Sequence, residues 1–247
     1  VMIDSGRVDG GRFLAPATEF DRYYAPGEPD YACDVAYIGS FPNPHRTRAS
    51  PQFELTEEVY RIIRRTGEFA WERSTAERHL EEAERNLGVR LEAGRQAFIQ
   101  NIQLAVTRFT QRKGIVDAVL ETGCSLQLYG PGWDILPAYR PCVRPLLPHG
   151  PELAQAYRRA RINLHVGALA IHWRTFECIA AGAFILIQAG KTDFLPGGLN
   201  DFLEVGKEAV TFDGTRDLQE KVAHYLAHPE ERLRVIEAGR KRVLAEH

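Results

Sequence analysis

Cysteine is scarce in this sequence, and neither sign of charge is in excess. The cysteines are widely spaced and include no C-x-x-C pair; they are Cys33, Cys124, Cys142 and Cys178. Such spacing favours reduced, structural thiols over disulfides or a metal site, and hence a cytoplasmic protein. With 31 basic and 33 acidic residues the formal net charge is −2. The bulk charge therefore does not favour a nucleic-acid partner or an anionic membrane surface.

Long apolar runs are also missing. No run has the roughly 18 residues that a membrane-spanning helix requires, and no signal-peptide pattern is present at the start. We therefore expect no membrane span. The sequence starts at "VMIDSGRVDGG" without an initiator methionine and stops directly after a predicted helix. We expect it to be a piece of a longer chain.

Several widespread catalytic motifs are absent. The "AGKT" at 189–192 suggests a P-loop, but Ile185 occupies the position of the glycine that such a loop needs. Gly130 and Gly132 suggest a dinucleotide fingerprint, but Ile135 replaces its third glycine. The sequence contains neither G-x-S-x-G nor H-E-x-x-H. These absences argue against dehydrogenases, kinases, GTPases, common hydrolases and zinc peptidases.

The hydrophobic pattern divides the chain into parts. Residues 1–31 are rich in glycine, proline and aspartate without a sustained period, which predicts a linker or extended segment. "CDVAYIGS", residues 33–40, predicts a buried strand that leads into a loop. Residues 51–114 show helical periodicity and many charges. We predict that they form a helical block inserted into one domain spanning 32–247.

Local signals predict the helix boundaries inside that block. Gly67 and Gly88 are expected to end its first two helices. Ser74 and Glu77 have the spacing of a capping box, which predicts the start of the second helix. Gly114 is a candidate break in the third helix.

Beyond Gly123 short apolar segments alternate with helical patterns. The expected strands include "SLQLYG", "RINLHV", "AFILI" and "EAVTF", and Pro151 and Pro229 are placed to begin helices. Strands without internal alternation, separated by helices, are typical of a parallel sheet covered on both faces. The sequence therefore predicts an α/β fold with a doubly wound, Rossmann-like parallel sheet.

In such a sheet, ligands bind at the carboxyl ends of the strands, where the strand order reverses. Four segments follow predicted strands and are therefore expected to surround the site. They are residues 39–50, 129–136, 144–150 and 167–174.

Arg174 and Glu177 lie in the first turn of a helix within "HWRTFECIA". The free N–H groups at a helix N-terminus suit a phosphate, and an arginine fork binds the same group. A glutamate one turn further could accept hydrogen bonds from two ribose hydroxyls. The alternative is that Glu177 complements the helix dipole and Arg174 is its solvated partner.

Two loops carry further candidates. In "LYGPGWD", glycines would let a phosphate or sugar approach the backbone, and Trp133 could stack on a base or sugar. The alternative is a tight turn whose tryptophan covers the core. In "GSFPNPHRTR", Gly39 and Ser40 resemble an anion loop with Arg46 nearby, although a solvated basic loop would look the same.

These segments resemble the nucleotide-binding C-terminal half of GT-B-fold glycosyltransferases of the group 1 superfamily, in particular the CgeB-like, or spore maturation protein-like, group. The resemblance covers 33–50 and 116–247. It is carried by "CDVAYIGS", "LQLYGPGW", "HGPELAQAYRRARINLHV", "HWRTFECIAAGAFILI" and the segment from "DFLEVGKEAVTF" to the end, in that order.

The resemblance implies a hexose-type transferase that binds a UDP- or GDP-sugar and uses no metal or other cofactor. Glu177 would hold the ribose, Arg174 the diphosphate, and the turn from Gly130 to Trp133 the base. The candidate catalytic residues are His172 and Arg174. The candidate donor-binding residues are Gly39, Ser40, Arg46, Tyr129, Gly130, Gly132, Trp133, His149, Arg174, Thr175 and Glu177.

The sequence departs from the group pattern in two respects. Many members carry a second glutamate eight residues before the ribose glutamate, and here that position is Leu169. The sugar-contacting role of that glutamate is either absent here or taken over by another residue, for which His172 is the candidate. The N-terminal acceptor domain is also not among these residues, so we expect donor binding without turnover, and the acceptor (glycan, protein or small molecule) is open. The alternative function is a non-catalytic scaffold that docks partners on its helical block.

Overall fold

The structure is a computed structural model, and it describes residues 29–44, 52–167, 172–190 and 193–246. Most of the predicted linker at 1–31 lies outside these ranges. None of the described helices is both long enough and apolar enough to cross a bilayer. All four cysteines are free thiols.

The described residues form six strands and eight α-helices. The strands are β1 (Cys33–Ile38), β2 (Leu126–Tyr129), β3 (Val143–Arg144), β4 (Ala160–His165), β5 (Ile185–Gln188) and β6 (Val210–Phe212). The helices are α1 (Gln52–Thr66), α2 (Arg73–Leu87), α3 (Arg95–Asn101), α4 (Thr107–Glu121), α5 (Pro151–Arg158), α6 (Trp173–Ala180), α7 (Gly214–Ala227) and α8 (Pro229–Glu246).

The six strands form one sheet with the order β3-β2-β1-β4-β5-β6, and every neighbouring pair is parallel. This is the usual order of a Rossmann-like doubly wound sheet. The predicted fold class is therefore confirmed. Strand order reverses between β1 and β4, so a crevice is expected beyond Ile38 and His165, where these two strands end.

Apolar side chains cover both faces of the sheet, as parallel strands require. On one face, Val116 and Val119 of α4 and Leu218 of α7 pack in a cluster with Val35 and Leu128. On the other face the cluster combines α5, α6 and α8 with β5; its members include Leu153, Tyr157, Phe176, Ile179, Ile185, Ile187 and Val243. The strands lack alternation because both of their sides are buried.

The helical block has a core of its own. Leu55, Val59 and Ile62 of α1 pack with Leu80 of α2 and with Ile102. The helices of the block therefore turn their apolar faces toward one another, which explains the strong helical period of this charged stretch.

Two expectations about the block are wrong. Helix α2 begins at Arg73 after Glu72, with no side-chain cap, so Ser74 lies inside the helix and the capping box is not formed. The third helical segment does not break at Gly114. Instead Ile102–Val106 forms a π-helical turn, and α4 continues unbroken through Gly114 onto the sheet. The helix that closes the block is thus also a covering helix of the sheet.

Candidate functional site

A cleft opens at the carboxyl edge of the sheet, where the strand order reverses. Its accessible volume is about 200 Å³. Seven of the predicted site residues line it: Gly39, Ser40, Tyr129, Gly130, His149, Arg174 and Glu177. Residues from four separate segments of the sequence therefore meet in one place.

Glu177 lies one turn into α6, and its carboxylate is at the wall of the cleft. The side chain is only 8% exposed, and its Oε1 lies 4.0 Å from Nδ1 of His149, which is 66% exposed. An enclosed carboxylate of this kind is not the solvated partner of a neighbouring arginine. Its position at the cleft suits the acceptance of hydrogen bonds from a bound polar ligand.

Arg174 lies in the first turn of α6 with its guanidinium against the loop that follows β1. Its Nη1 and the hydroxyl of Tyr37 each lie 3.5 Å from the point that a Cβ on Gly39 would occupy. Among the described residues no carboxylate forms an ion pair with this guanidinium. Arg174 therefore adds uncompensated positive charge to the helix N-terminus at the cleft.

His172 is the N-cap of α6. Its Nδ1 accepts a hydrogen bond of 3.2 Å from the backbone N–H of Arg174. Burial, followed by the positive charge of Arg174, lowers the pKa of His172 to about 3. The imidazole is therefore neutral at neutral pH, and with Nδ1 accepting, Nε2 carries the hydrogen. From the sequence, His172 was predicted to be a catalytic residue, and its role as a helix cap was not predicted.

The turn after β2 is packed directly against the loop after β1. Gly39 N–H donates to the carbonyl of Tyr129, and Phe41 N–H to that of Pro131, each at 2.8 Å. Gly130 has φ +123°, and a Cβ there would lie 2.4 Å from the Gly39 carbonyl oxygen. Glycine is therefore required at 130 by the contact between the two loops.

Gly132 and Trp133 do not line the cleft. Trp133 is fully buried and packs on Tyr37, Phe41 and Tyr139. Its indole N–H donates a 2.7 Å hydrogen bond to the Gly39 carbonyl. The prediction that Trp133 stacks on a base or sugar is wrong, because no face of its ring is accessible. The alternative interpretation is correct: Trp133 covers the core beneath a tight turn.

The remaining predicted residues have separate outcomes. Thr175 is fully buried within α6 and does not line the cleft, so it is not placed to touch a donor. Arg46 and Leu169 lie outside the described residues. No cluster of His, Cys, Asp and Glu side chains in the described ranges could hold a metal ion.

Some residues that line the cleft were not predicted from the sequence. Trp173 is 50% exposed and Leu146 is 68% exposed, and both lie at its rim. An aromatic residue directly before Arg174 at a helix start was the available signal. The floor and walls are completed by Ile38, Pro131, Leu147, Leu153 and Tyr157. The cleft is therefore apolar at its rim and charged where Arg174 and Glu177 lie.

Comparison with known protein families identifies the family of this chain. A family model described as "Glycosyl transferase-like" matches residues 111–247. The match covers more than half of the chain, so the chain belongs to the glycosyl transferase-like family. The matched segment includes β2 to β6 and α5 to α8, and with them His149, Arg174 and Glu177 of the cleft.

Two solved structures resemble the chain at low sequence identity. One is the crystal structure of TarM, with 10% identity and a TM-score of 0.47, covering 90% of this chain and 34% of that one. The other is AviGT4, a glycosyltransferase involved in avilamycin A biosynthesis, with 14% identity and a TM-score of 0.42, covering 99% of this chain and 58% of that one. This chain thus spans about a third of the length of the TarM chain and somewhat over half of the length of the AviGT4 chain. No curated protein sequence matches it.

Proposed function

We propose that this chain is the donor-binding part of a CgeB-like glycosyltransferase and that its cleft binds a UDP- or GDP-sugar. Membership of the glycosyl transferase-like family supports this reaction class, and the cleft lies where doubly wound sheets bind nucleotides. The observation that carries the proposal is the enclosed Glu177 carboxylate at the cleft wall. A cytoplasmic location is part of the same proposal, and the four free thiols support it.

We assign the ribose to Glu177. A carboxylate can accept two hydrogen bonds, and the vicinal hydroxyls of a ribose supply two donors at matching spacing. Enclosure strengthens such bonds because water competes less for the carboxylate. His149, across the cleft at 4.0 Å from the Glu177 Oε1, is placed to contact the same sugar or the adjoining phosphate.

We assign the diphosphate to the N-terminus of α6, to Arg174 and to the Gly39–Ser40 loop. The helix dipole and the arginine supply positive charge at a fixed position. During transfer the oxygen of an acceptor hydroxyl bonds to the anomeric carbon while that carbon's bond to the diphosphate breaks, and the hydroxyl proton passes to the leaving phosphate or to water. The diphosphate leaves with the electron pair, and preorganised positive charge stabilises it. In this proposal no metal is required.

Two assignments change because of the structure. Tyr129 and Gly130 remain candidates for the base, and Trp173 replaces Trp133 as the accessible aromatic face. Because Nδ1 of His172 is engaged in the cap, the chemical role left to this residue is hydrogen-bond donation from Nε2. Turnover needs an acceptor-binding part in addition to the residues described.

The scaffolding alternative gains no support. Within the described residues of the block, the exposed large hydrophobic side chains are Phe53 and Leu104, at 36% and 58% exposure. They lie in different helical segments. Scattered exposed residues are normal on a protein surface, whereas a docking face needs a contiguous apolar patch.

The test is a ligand panel measured by thermal shift and calorimetry. UDP, GDP and TDP, their sugars, and the matching nucleosides are titrated into the protein without added metal and with EDTA. Ligands that bind only the folded state raise its melting temperature. We expect micromolar to millimolar affinity for UDP or GDP and much weaker binding of the nucleosides. No response to any nucleotide at millimolar concentration would refute the proposal.

A further inference from the structure

A buried arginine from the helical block lies directly behind the cleft. Arg112, on α4, is only 8% exposed. Its Nη1 donates a hydrogen bond to the carbonyl of Ser40 and lies 3.4 Å from the Ser40 hydroxyl. Its guanidinium carbon is 5.9 Å from the centre of the Tyr37 ring. The two residues it contacts belong to β1 and to the loop that lines the cleft.

The charge of Arg112 is not balanced locally. No carboxylate in the described parts of the chain contacts it, and its Nε is buried without a hydrogen-bond partner. Burial lowers the pKa of its guanidinium, and the positive charges of Arg108 and Arg174 act in the same direction. Buried charges are normally paired, because the lost hydration must be replaced. Arg112 therefore lacks a negative partner.

A second unsatisfied group adjoins it. The hydroxyl of Tyr37 is fully buried and makes no hydrogen bond to the described residues. This hydroxyl and Arg174 Nη1 lie at equal distances, 3.5 Å, from the Cβ position of Gly39. Two arginines and a phenol thus converge on the Gly39–Ser40 loop, and none of the three has an anionic partner in the described structure.

The helix that carries Arg112 is held at two strand ends. The preceding residue, Gln111, donates a 2.6 Å hydrogen bond to the side-chain oxygen of Gln188 at the end of β5. Arg112 binds the loop after β1. Strand β4 lies between β1 and β5. Helix α4 therefore crosses the sheet where the strand order reverses, between β1 and β4. A shift of α4 would therefore move the Gly39–Ser40 loop.

We propose that Arg112 is a positioning residue for a diphosphate in the cleft: it fixes the Ser40 carbonyl from behind, and the bound anion supplies the counter-charge that it and Arg174 lack. This inference rests on the proposed function and extends it to the helical block. Without an anion, a buried unpaired cation destabilises the fold; with the anion bound, the same cation favours the complex. Arg112 thereby makes the block part of the donor site.

The experiment compares R112M, R112K and R108M. Arg108 is on the same helix one turn earlier but is exposed, so R108M removes an equal charge without touching Ser40. Circular dichroism checks folding, and the probes are inorganic pyrophosphate, UDP and GDP at low and high salt. We expect R112M to weaken the binding of pyrophosphate, UDP and GDP about ten-fold. R112K should bind them more tightly than R112M but less tightly than the wild type. R108M should change their affinity less than about two-fold at high salt.

The unliganded melting temperature is the second readout. A structural role alone predicts that R112M melts below the wild type with its affinities unchanged. The positioning role predicts that unliganded R112M melts at or above the wild type, since an apolar side chain replaces an unpaired buried charge. Should R112M not fold, R112K decides, because it keeps the charge but loses the planar fork.

The outcomes separate this inference from the proposed function. Unchanged pyrophosphate affinity in R112M and R112K, or an equal loss in R108M at high salt, overturns the role of Arg112 while the nucleotide site stands. Pyrophosphate binding that R112M loses, without any response to UDP or GDP, supports Arg112 and refutes the nucleotide proposal. A wild-type protein that binds none of the probes refutes both.

Discussion

The carboxylate of Glu177 and the imidazole of His149 face each other at the cleft, with 4.0 Å between Oε1 and Nδ1. Glu177 comes from α6 and His149 from the loop before α5. The first is almost enclosed and the second largely exposed. A fixed acid at the wall and an accessible ring at the mouth form a site that a small polar ligand can enter.

Replacement of Glu177 tests the ribose contact. E177Q keeps the size of the side chain but removes its charge and one acceptor, so we expect about a ten-fold loss of UDP or GDP affinity. Pyrophosphate, which has no ribose, should bind as before. Calorimetry on both probes measures this difference. The matched control is E152Q, which changes an exposed acid in the first turn of α5; an equal loss in E152Q contradicts the assignment.

The depressed pKa of His172 gives a pH dependence of stability. The unfolded imidazole takes up its proton near pH 6.5, whereas the folded one does so only near its pKa of about 3. Between these values the unfolded state binds more protons, so the free energy of unfolding falls as the pH falls. H172N keeps a cap acceptor but does not titrate. In urea denaturation, the stability of the wild type relative to H172N should fall between about pH 6.5 and pH 4; a constant difference would show that the site does not titrate in this way.

Two glycine-to-alanine substitutions should have opposite effects. At Gly130, φ is +123° and the added Cβ would lie 2.4 Å from a carbonyl oxygen, so G130A should destabilise the protein by roughly 1–3 kcal/mol or displace the loop. Gly114 lies inside α4 with nothing within 4 Å of an added Cβ. G114A should stabilise by about 0.5–1 kcal/mol. Chemical denaturation measures both, and a destabilised G114A would show that the helix is not continuous there.

The three tryptophans should report ligand binding differently. Trp173 is half exposed at the cleft rim, and Trp133 is buried beneath the turn. We expect nucleotide to change the emission of Trp173, so that W173F loses the signal while W133F retains it. Trp71 lies in the helical block outside the cleft lining and serves as the internal control. Loss of the signal in W133F with retention in W173F would reverse the assignment of the two rings.

Most of the fold was predictable because its signals are local. The apolar runs of β1, β4 and β5 and the helical periods of α1, α5 and α6 follow from side-chain period alone. Gly88 ends α2 in a left-handed conformation, as expected. The capping box at Ser74 failed because that spacing also occurs inside a helix. Strand β3 has two residues, Val143–Arg144, which is too short for any period.

The candidate site was predictable only in outline. The segment that holds Arg174 and Glu177 was identified because residues following a parallel strand must lie at the carboxyl edge. Trp133 was misplaced because the pattern shows which residues follow a strand, but not whether a ring then turns inward. The burial of Arg112 could not be predicted from the sequence, because an arginine in a helix is ordinarily solvated and its partner Ser40 is distant in sequence.

The sequence by itself determined the α/β class, the parallel sheet and the stretch of chain around Glu177, because periodicity and strand-helix alternation are properties of neighbouring residues. Only the tertiary structure decided that Trp133 belongs to the core, that His172 caps a helix, and that Arg112 lies unpaired behind the Gly39–Ser40 loop. Each of these depends on which distant segments exclude water from a side chain, and burial of that kind arises only when the segments pack together.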